Sequence, residues 1–444
     1  MFQKKMSGVH IPYRKNTAGM KAVKMPPPAT VVIPMGMHIG RPSNVIVKPG
    51  DHVDVGQVIG EAAGYVGAPI HSSVSGTVKK LSSVLLFMGT ECPAVEIEPD
   101  GLQTPCSELK APEITDYESF VNAVRESGLV GLGGATFPTS VKVDVKDTSR
   151  IQEVIINAAE CEGYITSDHR TMLDRKDDIV EGCRLIEKWL DAKNIIIGIE
   201  DNKPDAIKLM TEAFKGDEKV TVKTLPAIYP QGGEKVLIYN TTGKIVPEGK
   251  LPLDVGCLVF NVTTLATLAV YCRTGMPLTE KCITVDGPAV KEPKNVIAPI
   301  GTAIGDVIEF SGGLKAEAKK VVMGGPMMGI AQFDMNAPVQ KGTNAILVFD
   351  EKSAAPLKST ACIRCGGCVD VCPLHLMPCE IEDAYEKADA EALKALKVNL
   401  CMECGCCAFQ CPANRPLVQV NKLSKTLIRE YDARMKTLKG GESK

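Results

Sequence analysis

Twelve residues from Cys362 onward constrain this chain more than any other stretch: Cys362-Ile-Arg-Cys365-Gly-Gly-Cys368-Val-Asp-Val-Cys372-Pro373. The same spacing returns at Cys401-Met-Glu-Cys404-Gly-Cys-Cys407-Ala-Phe-Gln-Cys411-Pro412. Each copy reads C-x2-C-x2-C-x3-C-P, a run that holds a cubane [4Fe–4S] cluster in a tight loop. With two copies in one domain, the fourth thiolate, the one before Pro, serves the cluster of the other copy. The pattern therefore predicts Cys362, Cys365, Cys368 and Cys411 on one cluster, and Cys401, Cys404, Cys407 and Cys372 on the other. Zinc is the competing use of C-x2-C pairs. Four evenly stepped thiols plus Pro, twice over, are more than a zinc knot requires. Cys406 lies inside the second run but off its register, and reads as a neighbour of the ligands.

The other cysteines of the 17 in the 444-residue chain are scattered, several singly in apolar segments such as those of Cys183, Cys257 and Cys272. That distribution points to a reducing compartment and not to a disulfide framework. A net charge of −2 with 23% charged residues gives no basic excess for nucleic acid. Residues 1–24 carry positive charge without an apolar core, so no secretory signal is expected. The longest apolar run, 257–272, is interrupted by Asn261 and several Thr and falls short of a membrane span.

The length allows three or four domains. Between residues 30 and 95, short β-branched runs alternate with turns, which predicts a small all-β unit. Its phrase VKPGDHVDVGQVIG, followed by APIHSSVSGTVKK, resembles the barrel-sandwich fold of biotinyl and lipoyl carriers. A carrier hairpin presents a lysine for acylation; the stretch from Glu61 to Pro69 has none, so a structural or docking module is expected. A helix is predicted over 116–127. Strand-like runs at 153–157, 194–199 and 219–223 then alternate with helical stretches at 172–190 and 204–214, the texture of an α/β domain with a parallel sheet. From Cys282 a compact β-grasp texture follows, with a helix at 303–310. A linker is expected at 352–360. The two cysteine runs are joined by one expected helix over 380–396, and a polar helix runs from Leu417 to about residue 436.

Four segments of the α/β region carry candidate site residues. Gly131-Leu-Gly133-Gly134-Ala-Thr-Phe137-Pro is a glycine-rich loop of the kind that lets backbone N–H groups approach a phosphate. Alone it is equally a tight turn, and it does not follow a strand as a dinucleotide fingerprint must. Asn157-Ala-Ala-Glu160-Cys161-Glu162 follows an apolar strand. Tyr229-Pro-Gln-Gly232-Gly233-Glu234-Lys235 and Asn261-Val-Thr-Thr264 complete the set. In open α/β sheets, ligands sit at the carboxyl ends of strands, where two such acids and an Asn suit ribose hydroxyls and a flavin edge.

These segments, in this order over 128–278, resemble the flavin- and NADH-binding subunit of respiratory complex I and of NAD-reducing hydrogenases. The resemblance implies FMN on Gly131, Gly133, Gly134, Lys142, Asn157, Glu160, Asn261 and Thr264. It implies NAD(H) on Phe137, Tyr229, Gly232 and the two acids Glu162 and Glu234, which would flank the hydride transfer. Two positions depart from the family pattern: Ala159 stands for an Asp, and Gly233 for a Glu.

The module order separates relatives. Barrel first, then flavin domain, β-grasp and two ferredoxin-type runs, together with Gly8-Val-His10-x-Pro12, is similar to the RnfC family of the Rnf electron-transport complexes. That implies a multidomain α/β and β fold: a barrel-sandwich hybrid over 1–108, a Rossmann-like FMN/NAD(H) domain over 115–279, an SLBB-like β-grasp over 280–352, a two-[4Fe–4S] ferredoxin domain over 355–425 and a C-terminal tail over 426–444. It also implies a peripheral subunit on the cytoplasmic face of the membrane, working with the membrane and ferredoxin-interacting subunits in ferredoxin:NAD+ oxidoreduction coupled to ion translocation. A soluble flavin/iron-sulfur reductase, such as a cobalamin reductase, and a scaffold with an inactive flavin pocket are the other readings.

Overall fold

The computed structural model describes residues 7–86 and 89–441; the ends of the expected first and last segments, 1–6 and 442–444, lie outside them. The expected alternation of strand and helix builds a four-stranded, wholly parallel sheet in the order Val220–Leu225, Asn194–Glu200, Glu153–Ala158, Cys257–Asn261. The strands are nearly continuous runs of Val, Ile and Leu because helices cover both faces. The first strand in sequence is an inner one, so the order of strand addition reverses between Glu153–Ala158 and Cys257–Asn261. That gap is the switch point of the sheet, where open α/β folds bind ligands. The helix Tyr117–Glu126 is capped by Asp116 in a capping box with Ser119, and buries Phe120, Val121 and Val124 in the core beneath the sheet.

The barrel pairs a four-stranded antiparallel sheet with a three-stranded one, its core filled by Val31, Ile33, Ile59, Ile70, Val95 and Ile97. Residues 7–25 run elsewhere. Val9 pairs with Tyr229 of the α/β domain, and Val23–Lys24 adds an edge strand to the six-stranded β-grasp sheet. This arm also enters a buried polar knot. Asn295 Nδ2 donates to the Thr17 carbonyl at 3.0 Å, and Thr166 Oγ1 donates to Asn295 Oδ1 at 2.8 Å. Lys341 is another buried stitch, donating to the Gly128 carbonyl at 2.7 Å and that of Pro69 at 3.1 Å.

The cysteine runs lie in a helical C-terminal unit. The single helix expected over 380–396 is two, Pro378–Glu386 and Ala390–Ala395. Ala388 adopts a left-handed backbone (φ 53°) and Asp389 caps the second helix through the Ala392 N–H. The closing helix, Leu417–Gly441, runs unbroken through residues 425 and 426 and packs on both.

Candidate functional site

The register of the sheet brings two of the predicted residues together: Asn157 and Asn261 are direct partners on the neighbouring strands at the switch point. Asn261 ends its strand and caps the helix Val262–Thr274, its Oδ1 accepting from the Thr263 and Thr264 N–H groups at 3.0 and 3.2 Å. Its Nδ2 donates to Asp168 at 2.7 Å. Asn157 Nδ2 donates to the Gly232 carbonyl at 2.8 Å, tying the 229–233 loop to the strand end.

Over this switch point lies the glycine-rich loop. Thr264 Oγ1 accepts from the Leu132 N–H at 2.9 Å, fixing the loop to the Val262–Thr274 helix. A Cβ on Gly133 would stand 3.4 Å from Asn261, in van der Waals contact, so the loop lies directly against the strand end. Gly134 has φ 119°, a conformation that excludes other residues. The loop closes on itself through the Gly131 N–H, which donates to the Phe137 carbonyl at 2.9 Å. Lys142 follows on the next short helix. Its Nζ donates to the Val259 carbonyl at 2.6 Å and lies 3.8 Å from Glu234. Burial lowers its pKa, and Glu234 partly offsets this.

Not every candidate faces this space. The Glu160 carboxylate is buried and accepts from the Asp168 N–H at 2.6 Å and the His169 N–H at 3.2 Å, at the start of the helix Ser167–Asp174. Lys15 of the N-terminal arm lies 3.8 Å away, and burial drives both groups toward their neutral forms. Glu162 accepts from the Met327 and Met328 N–H groups at 3.1 and 3.0 Å, which links it to the β-grasp loop Gly324-Gly-Pro-Met-Met-Gly329. Burial pushes its carboxyl up to about 7. Tyr229 is only 2% exposed, and its hydroxyl donates to the Cys404 carbonyl at 2.8 Å.

Tyr229 thereby marks an interface with the second cysteine run. Val9, Tyr229, Cys404 and Cys406 form one buried cluster, flanked by Cys161, Met327 and Met402. A Cβ on Gly233 would fall 2.1 Å from Met402 Cε. The space beside Gly233 is thus taken by a side chain of the cysteine run.

Met402 itself lines a narrow cavity of about 20 Å³ together with Cys372, Cys401, Cys404, Cys406 and Cys407 and with Pro373, Leu376, Val418 and Asn421. Cys372 of the first run is thus brought beside Cys401, Cys404 and Cys407 of the second, with Cys406 as a fifth thiol. Among the described residues no group of three or more His, Cys, Asp or Glu gathers tightly enough for a single ion; the thiols ring the cavity instead. The Cys401 Sγ accepts from the Asn421 Nδ2 at 3.4 Å and from the Glu403 N–H at 3.4 Å. Of the other predicted set, Cys362 and Cys365 are exposed, Cys411 is half-buried and Cys368 is buried. Cys368 and Cys407 share one buried cluster, with Cys379 and Cys411 packed against it.

Sequence reasoning missed Lys15, Lys203 and Met402. Lys203, fully buried, donates to the Ala159 carbonyl at 2.6 Å. Buried lysines that bind carbonyls from a distance carry no local signature. The motif Gly8-Val-His10-x-Pro12 flagged the arm that delivers Lys15, but not its destination.

Segment 124–270 matches the Nuo51 FMN-binding domain, 3–102 the RnfC barrel sandwich hybrid domain and 282–331 the SLBB domain. The glycine loop at the switch point and the fitted 124–270 segment put the chain in the class of flavin-domain electron-transfer proteins. More narrowly, it belongs to the RnfC family, the C-subunits of ion-translocating oxidoreductase complexes. It is 42% identical over 380 residues to the C-subunit of the Na(+)-translocating ferredoxin:NAD(+) oxidoreductase complex of Acetobacterium woodii, covering 85% of this chain and 86% of that one. The C-subunit of the proton-translocating complex of Clostridium ljungdahlii is 40% identical, covering 86% of each. That of the ion-translocating oxidoreductase complex of Rhodobacter capsulatus is 37% identical over 96% of this chain and 83% of its own length. Among solved structures, a chain of the NAD+-reducing [NiFe]-hydrogenase aligns over 69% of this chain and 62% of its own at 19% identity and a TM-score of 0.47, too loose to assign residues. Among the described residues no helix is long and apolar enough to cross a membrane.

Proposed function

We propose that this chain is the NAD(H)-exchanging peripheral subunit of a membrane-bound, ion-translocating ferredoxin:NAD+ oxidoreductase, lying on the cytoplasmic face and meeting its membrane partners through the C-terminal cysteine unit. The observation that carries the reading is the junction of three parts. The glycine loop lies over Asn157 and Asn261 at the switch point, and the adjoining 229–233 loop packs directly on the Met402–Cys406 segment.

The residues fit the cofactors expected. Gly134 has open space beside it and a left-handed φ of 119°, and the amides of this loop suit the phosphate of FMN. Lys142, 3.8 Å from Glu234 and bonded to the Val259 carbonyl, supplies a cation at its edge. Bound FMN would take an electron pair as hydride from NADH and release it one electron at a time to [4Fe–4S] clusters. Around it, Phe137 and Glu234 orient the nicotinamide, and Glu162 holds the β-grasp loop against the domain. The Glu234 carboxylate at this edge would repel an added 2′-phosphate, which favours NADH over NADPH. The Cys372/Cys401/Cys404/Cys407 cavity abuts the flavin domain, so its cluster is the inner one. The exposed Cys362–Cys368 loop with Cys411 then holds the outer one, toward the partners.

Anaerobic purification with flavin and metal counting tests this, followed by NADH addition. The expected result is one FMN and about eight iron per chain, with flavin and cluster absorbance bleaching on NADH. Zinc in place of iron, or a flavin that NADH leaves oxidised, would refute it.

A further inference from the structure

Where a carrier barrel presents its acyl lysine, this barrel turns its hairpin inward, onto the α/β domain. The Tyr65 hydroxyl donates to Asp144 at 2.8 Å, and Asp144 closes the short helix Thr139–Val143 that bears Lys142. Ala68 is buried within the α/β core. The Pro69 carbonyl accepts from the buried Lys341 of the β-grasp domain, which also binds the Gly128 carbonyl just ahead of the glycine-rich loop.

A second barrel segment reaches that loop itself. The Ile39 N–H donates to the Thr136 carbonyl at 3.1 Å. The turn carrying Ile39 is fixed by Ser43, whose Oγ donates to the Ala68 carbonyl at 2.8 Å and lies 3.0 Å from His38 Nε2. From the β-grasp side, Gly342 packs on the same residue. A Cβ there would fall 2.6 Å from Thr136 Cγ2 and 3.2 Å from the Gly134 carbonyl oxygen. Thr136 itself has a left-handed backbone, φ 50°, which is a costly conformation for a β-branched residue. Such a conformation persists only where its surroundings over-determine it. Here the constraints come from the barrel's Ile39, from Gly342 of the β-grasp domain, and from the loop's own Gly131 carbonyl, which accepts from the Thr136 N–H at 3.1 Å.

We propose that Thr136 is the positioning residue through which the barrel and the β-grasp domain together clamp the glycine-rich loop in its flavin-binding shape. The inference rests on the FMN reading above. Freed of Ile39 and Gly342, Thr136 would relax to an ordinary φ and carry Gly133 and Gly134 off the Asn261 strand end. The barrel thereby acts on the flavin site without touching the flavin, and a shift of the barrel against the α/β domain is read out as a change in flavin affinity.

The experiment uses the full chain, purified without oxygen. The readouts are the FMN dissociation constant from flavin fluorescence, iron per chain, and the NADH KM and kcat per bound flavin. Gly342 lies outside the left-handed region, so its own backbone accepts Ala, and the added methyl meets Thr136. Gly342→Ala should weaken FMN binding about tenfold with iron unchanged. Adding Thr136→Ser, which deletes Cγ2, should bring the affinity back to within about threefold of the parent. Ile39→Ala keeps the N–H and should bind FMN as the parent does, whereas Ile39→Pro removes the N–H and should bind it several-fold more weakly. The kcat per bound flavin should hold throughout. Parent affinity in Gly342→Ala, or a loss that Thr136→Ser leaves in place, would overturn the proposal. So would parent affinity in Ile39→Pro; if that protein does not accumulate, the Gly342 and Thr136 pair decides alone. A parent that binds no FMN would instead sink the flavin reading itself.

Discussion

Replacing Glu162 by Gln probes the joint between the α/β domain and the β-grasp loop. The carboxylate accepts two backbone N–H bonds, from Met327 at 3.1 Å and Met328 at 3.0 Å. A Gln offers one acceptor there and turns an N–H2 toward the second amide, a loss of about 1–3 kcal/mol for the stranded donor. The parent also carries a cost that Gln does not. Burial raises the carboxyl from 4.5 to about 7, so between those pH values the folded chain binds more protons than the unfolded one. Stability contributed by the neutral acid is therefore complete below about pH 4.5 and lost as pH rises through about 7. At about 1.4 kcal/mol per pKa unit, the loss is on the order of 3 kcal/mol. The stability deficit of Glu162→Gln should accordingly be largest near pH 4.5 and shrink toward zero above pH 7. Urea unfolding of parent and variant across pH 4–8 measures it. Above pH 7 the variant should be as stable as the parent yet reduce its flavin more slowly with NADH. A deficit independent of pH, or unchanged reduction by NADH, would refute the reasoning.

Three further outcomes are expected. Cys365→Ser should halve the iron and leave the inner cluster's spectrum intact, because the inner site draws only Cys372 from the first run. Lys142→Ala should lower flavin content several-fold, whereas Glu234→Ala should keep the flavin and slow its reduction by NADH; equal flavin loss in both would place Lys142 and Glu234 in one role. The intact mass of the native protein should carry no biotinyl or lipoyl increment, since no lysine lies between Glu61 and Pro69; a modified lysine within 51–80 reverses that.

Patterns confined to a short stretch were legible in the sequence. Val and Ile runs spaced by helical stretches announced the parallel sheet, and the two cysteine runs announced thiols that the fold brings together, Cys372 of the first beside Cys401, Cys404 and Cys407 of the second. The break at Ala388 was hidden because Ala384, Ala388, Leu393 and Leu396 keep a helical spacing across it. Only the capping role of Asp389, bonded to the Ala392 N–H at 2.9 Å, gives it away. Long-range partners were not legible at all. Nothing near Glu160 announces that Lys15 is its neighbour, 145 residues away, or that its carboxylate caps a helix.

The two departures from the flavin-family pattern show how such partners decide what a local motif means. Read locally, Gly233 is a lost acid and weakens a nucleotide site. In the fold, any Cβ at 233 meets Met402 Cε at 2.1 Å, and the Pro230 carbonyl lies 3.2 Å away. Glycine here leaves room for the Met402 side chain as the cysteine run seats against the 229–233 loop, with the Tyr229 hydroxyl on the Cys404 carbonyl. Ala159 has a parallel context: its carbonyl receives the buried Lys203, which also lies 3.4 Å from Glu200. A charged side chain at 159, itself fully buried, would add a further ion to that network, and burying an ion without a dedicated partner is costly. At both positions the small residue sits against a partner brought from elsewhere in the chain: Met402 of the second cysteine run at Gly233, and Lys203 at the Ala159 carbonyl.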